Sequence, residues 1–255
     1  MTLVPDCDPA LAKLRHLRNA PVVEAIIDVR VEARPDFQGE AVLPLREMLR
    51  GEFPKAEERR GVSFQVAFGG AASEQGLQDH GVNGVFLRSE DEKSVAQFRT
   101  DGFAFNRLAP YSSWHEIHPI ALRLLTLYLD IARPQSIVRV AVRYINRLQI
   151  PTQRFAEYLT APPRSVPGTS GPPGSFMEVL LSSEPDGAKI NYTQALETND
   201  SRGDISTVLI DVDAYNTDPC EPDASEVSAR LSALHTLKNR VFFASVTDLA
   251  TELYA

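Results

Sequence analysis

The sequence predicts an α+β fold, a large and mainly antiparallel sheet with helices packed on one face. Residues 22–33, VVEAIIDVRVEA, alternate apolar and polar with a period of two, and residues 136–150 do the same. Two capping boxes, Ser113–Glu116 and Asp223–Glu226, each open an apolar stripe at helical spacing. Strands come in runs rather than in strict strand–helix alternation, which favours antiparallel pairing. The expected order is β-α-βββ-α-β-βββ-α.

In the first strand Val23, Ala25, Ile27, Val29 and Val31 share one face, and Glu24, Asp28, Arg30 and Glu32 share the other. Residues 36–50 read as a helix carrying Phe37, Val42, Leu43, Leu45 and Leu49, punctuated by Gly51 and Pro54. Strands are expected at 61–68, 83–89 and 93–105, the last bent at Gly102, with a polar loop over 69–82. The helix after Ser113 runs to Ile131. Its Pro119 lies early, where a missing donor costs least. A long strand, 136–150, is stopped by Pro151, and a short helical turn follows at 155–159.

Residues 161–174, APPRSVPGTSGPPG, are too rich in proline and glycine to pack and read as a flexible surface loop. A hairpin over 175–183 and 188–197 turns through Pro185-Asp186-Gly187, and another strand covers 207–215. The last helix carries Val227, Leu231, Leu234 and Val241 on its inner stripe, and Val246–Asp248 starts a final turn. Residues 1–15 are expected to be a mobile tail. The part beyond the loop is too small a core to stand alone, so 1–255 reads as one domain.

The chain has 255 residues, 43% hydrophobic and 24% charged, an ordinary globular composition. A net charge of -8 gives no global attraction to nucleic acid or anionic lipid. Cys7 and Cys220 lie far apart and outside any CxxC or Cys/His cluster, which argues against a disulfide scaffold or zinc site and fits a reducing compartment. Neither a signal-peptide pattern nor a membrane-spanning apolar run is found, so a cytoplasmic location is expected.

Three stretches mix arginine, aromatics and amides inside regular elements: 98–107, 139–147 and 237–243. In the second, Arg139, Arg143 and Arg147 share one strand face, with Tyr144 and Asn146 on the other. Arg99 and Asp101 share a face, as do Asp211 and Asp213. The plainer account is a solvated face on which arginines and aspartates pair across strands. The functional account is a polar surface receiving an anionic ligand, a peptide or single-stranded nucleic acid, since guanidinium forks suit phosphate and carboxylate. Lys238 and Arg240, followed by Phe242 and Phe243, read as a basic and apolar edge for a protein partner or a second copy.

Catalytic templates are missing. GxSxG, a P-loop and GxGxxG after a strand are not found, and His115-Glu116-Ile117-His118 has the wrong spacing for HExxH. Asp211-x-Asp213 lacks the further ligands of a metal pair. Thus no catalytic residue, cofactor or metal is expected. The binding candidates are Arg99, Asp101, Arg139, Arg143, Tyr144, Asn146, Arg147, Lys238 and Arg240.

FRTDGFAFNRLAPYSSW (98–114), VRYINRLQIP (142–151) and LKNRVFFASVTD (237–248), together with the AP-VVEA stretch (20–25), resemble a sporadically distributed bacterial family of uncharacterised proteins of about this length. The resemblance implies no reaction and no catalytic residues. The expectation from the residues is a protein-binding or accessory factor. The alternatives are an enzyme or small-ligand receptor with a polar pocket, and single-stranded nucleic-acid binding through the arginine face.

Overall fold

The computed structural model describes residues 17–65, 76–169, 173–197 and 204–255. The expected mobile tail, 1–15, lies outside them, as do residues 66–75 and the tip of the proline-rich loop. Nine strands form one sheet: β1 (Val22–Glu32), β2 (Lys55–Gln65), β3 (Gly76–Arg88), β4 (Ser94–Arg99), β5 (Gly102–Leu108), β6 (Ser136–Pro151), β7 (Phe176–Ser183), β8 (Lys189–Glu197) and β9 (Ile205–Asn216). Their order is β2-β3-β4-β5-β1-β6-β9-β8-β7, and every pairing is antiparallel. The predicted α+β class is the observed one.

Two long helices, α1 (Trp114–Ala132) and α2 (Ala224–Ser245), cover one face of the sheet, and a short α3 (Asp248–Glu252) follows. Both predicted caps form. Ser113 Oγ accepts from the Glu116 amide, and Asp223 accepts from the amides of Ser225 and Glu226. The core lies between helices and sheet, where Ala25, Ile27, Val29, Val140, Val142 and Tyr144 meet Leu124, Leu125, Tyr128, Leu231 and Leu234. Among the described residues, no helix is long and apolar enough to cross a membrane.

Three expectations are corrected. The first described strand after the helical turns begins at Lys55 rather than at 61, and residues 76–82, read as part of a loop, belong to β3. Residues 36–50 form a 3-10 turn, Gly39–Val42, and a single α turn, Leu45–Met48, instead of one helix. Gly39 lies against the Val82 carbonyl, where an added Cβ would sit 2.0 Å away, and Pro44 sits between the two turns. Residues 93–105 are two strands joined at Thr100-Asp101, not one bent strand. Arg99 pairs with Gly102 across that turn, and Gly102 has φ +151, backbone that a side chain resists. Residues 161–169 are irregular, as expected.

The two edges of the sheet differ. Edge strand β2 exposes Lys55, Glu57, Glu58, Arg59 and Arg60, the charged pattern that discourages strand addition. Edge strand β7 exposes Met177 (72%), Val179, Leu180 and Leu181 (74%).

Candidate functional site

Strict alternation along β6 turns Tyr144 and Asn146 toward the helices. Opposite them, α2 presents His235, Lys238, Asn239 and Phe242, spaced i, i+3, i+4 and i+7 along one side of the helix. Trp114 and Tyr111, at the start of α1 and just before it, close the third wall. Together they enclose a cleft of about 570 Å³.

The aromatic groups are ordered by stacking. The Trp114 ring lies on His235 at 4.2 Å and 10°, and on His118 at 4.6 Å and 22°. The Tyr111 and Tyr144 hydroxyls are 2.8 Å apart. Asn146 is buried, and its Nδ2 donates to the carbonyls of Tyr144 and Ile210 at 3.3 and 3.0 Å. That leaves its carbonyl oxygen as the part of the amide available to a ligand.

Lys238 is the outlier in this wall. It is 4% exposed, its Nζ lies 3.4 Å from the centre of the Tyr144 ring, and it donates to Asn239 Oδ1 at 2.5 Å. A ring face and a neutral amide compensate a buried ammonium only in part. Among the described residues, none that lines the cleft is an aspartate or glutamate. Burial therefore pushes the Lys238 amine well below its ordinary range. His235 is pushed down to about 2, first by burial and then by Lys238, His118 and His115. Burial raises Tyr144, and it raises Tyr111 to about 12.

The remaining candidates do not share this cleft. Arg99, Asp101, Arg139, Arg143 and Arg147 lie on the opposite, helix-free face, so the strand pleat separates them from Tyr144 and Asn146. Each of these arginines is paired. Arg139 bridges Asp28 at 2.9 Å and Asp213 at 2.8 Å, and Arg143 grips Asp211 with two nitrogens at 2.9 and 2.5 Å. Arg147 pairs with Glu197, and Arg99 with Asp28 at 3.0 Å and Asp101 at 3.2 Å. Burial raises the Asp213 carboxyl against the pull of Arg139 and Arg143. Arg240 points into a separate recess and pairs with Glu184 at 2.6 Å. Among the described residues, no three His, Cys, Asp or Glu side chains converge as a metal site would require.

The reading of 238–243 as a basic edge is corrected. The buried positions of α2 there are Lys238 and Phe242, whereas Val241 and Phe243 are only partly buried. Reasoning from sequence also missed Tyr111, Trp114 and His235. One signal was available: His235, Lys238 and Asn239 recur at the spacing that continues Leu231, a polar break in an apolar stripe.

No family model, curated protein or solved structure matches this chain. The site must be interpreted from its own chemistry.

Proposed function

We propose that this protein is a receptor for a small, planar, acid-bearing ligand held between β6 and α2. Lys238 carries this reading. Lysine is almost never fully buried unless paired, yet Lys238 is buried in a cleft that, among the described residues, is lined by no carboxylate. A ligand acid group supplies the missing anion and draws a proton onto the amine as it binds. The aromatic lining of Tyr111, Trp114, Tyr144 and Phe243 suits a ring, and the amides of Asn146 and Asn239 fix its orientation. The arginine face supports a nucleic-acid reading less well, because its guanidiniums are already engaged by carboxylates.

Trp114 is the only tryptophan, so its fluorescence reports on the cleft alone. Titration with salicylate or 1-naphthoate is expected to quench it saturably. Binding should weaken by about tenfold or more for the corresponding neutral amides, and likewise for the acids with Lys238→Met. If none of these acids gives a saturable response at millimolar concentration, the receptor reading is wrong.

A second reading, association with another copy, is favoured by β7. A two-fold axis normal to the sheet pairs residues whose numbers sum to an even value, which keeps each face continuous. Centred on Val179, it sets Met177 against Leu181 of the other copy and joins their exposed side chains into one stripe. The one charge on β7, Glu178, is already neutralised by Arg164 at 2.8 Å, so two copies do not repel. Light scattering should find a dimer for the native chain and a monomer for Val179→Lys, which sets two ammonium groups face to face. A native chain that stays monomeric at all concentrations rules this out.

A further inference from the structure

Resting on the receptor reading, we propose that Lys238 captures a small aldehyde or ketone bearing an acid group as an imine on its Nζ. The chain uses 21 arginines but only five lysines. Where the fold needs a fixed cation beside a carboxylate on the open face of β6, it uses arginine. Arginine stays protonated and is no nucleophile, whereas a primary amine adds to carbonyl carbon. The cleft therefore holds the one type of basic side chain suited to covalent capture, at a position where a permanent charge would be poorly compensated.

The surroundings fit that chemistry. A lysine desolvated in an apolar setting gives up its proton more readily than an exposed one, which favours the free lone pair. The lone pair adds to the carbonyl carbon and opens the C=O bond to give a carbinolamine. One proton passes from nitrogen to oxygen to give the neutral carbinolamine, and a second follows as the C=N bond closes and the oxygen leaves as water. No oxidant or reductant is consumed. The Tyr144 ring lies under Nζ, and its hydroxyl is joined to that of Tyr111 at 2.8 Å, so the same wall of the cleft carries protonated hydroxyls able to donate. The Trp114–His235 stack closes the wall beside Lys238, and a sheltered amine slows hydrolysis of the imine.

The test uses the full chain at pH 7 with 2-carboxybenzaldehyde, whose acid group lies beside the protonated imine nitrogen, followed by cyanoborohydride, which fixes an imine as a secondary amine. Peptide mass mapping then compares the five lysines. Adduct at Lys238 is expected to exceed that at Lys55, Lys93 or Lys189 by more than about tenfold, because ammonium groups with ordinary pKa values hold little free base at this pH. The same aldehyde should quench Trp114 saturably. Saturable quenching with Lys238 unlabelled, or with label spread evenly over the exposed lysines, overturns the imine and leaves the receptor standing. Neither quenching nor label at Lys238 overturns both.

Discussion

Lys238→Met is expected to stabilise the protein at pH 7 by on the order of 2 kcal/mol, while weakening binding in the cleft. Methionine nearly matches lysine in volume, keeps the contact with the Tyr144 ring through its sulfur, and needs no counterion. The sign follows from proton linkage. The amine in the folded protein has a lower pKa than in the unfolded chain, where it sits near 10.4. Between those two values the unfolded chain binds a proton that the folded chain does not, so native stability rises with pH across that window. The gain from methionine should therefore shrink as pH approaches about 10.4 and level off above it.

His235 acts in the same sense at lower pH. Its folded value of about 2 lies below the ordinary 6.5, so stability falls as pH drops below about 6.5, by up to about 1.4 kcal/mol per unit. The charged and titratable groups facing this pair are His115, His118, Tyr111 and Tyr144. Urea unfolding of both chains from pH 5 to 10 measures the slopes. A methionine variant less stable than the native chain at pH 7 would show that the amine is a structural partner.

Asp28→Ala is expected to destabilise the fold by about 3 kcal/mol. The Asp28 carboxylate is 14% exposed and receives Arg30, Arg99 and Arg139 at 3.2, 3.0 and 2.9 Å. Removing it leaves the nearly buried Arg99, 6% exposed, with the neutral Gln97 amide and the half-exposed Asp101 carboxylate. Arg147→Ala, by contrast, breaks a pair exposed to water on both sides and should change stability by less than about 1 kcal/mol. Urea midpoints of the two variants separate a structural charge ladder from an independent set of surface arginines. Equal, small losses would mean that Asp28 does not organise this face.

The ladder was legible in the sequence because strand alternation is a local property. The period of two along 136–150 assigned Arg139, Arg143 and Arg147 to one face and Tyr144 and Asn146 to the other, and the fold keeps that division. The cleft was less legible. Its α2 wall depends on a rotation of the helix that buries a lysine, against that residue's usual preference, so Lys238 read as part of a solvated edge. Its α1 wall depends on Trp114, which in the sequence is a spacer inside a capping box and becomes a wall only when α2 brings His235 over it. The turn at Thr100-Asp101 was hidden because apolar residues continue on both sides of it. The lost helix at 36–50 reflects a close approach between Gly39 and Val82, a contact between segments about forty residues apart.

The charged β2 edge also sets how far association can run. A sheet with two sticky margins adds copies without end and grows into a fibre. Here joining β7 to β7 uses up both apolar margins at once. The outermost strands of the pair are then two β2 edges lined with Lys55, Glu57, Glu58, Arg59 and Arg60. In the proposed pairing, growth would stop after one addition and the assembly would close at two copies.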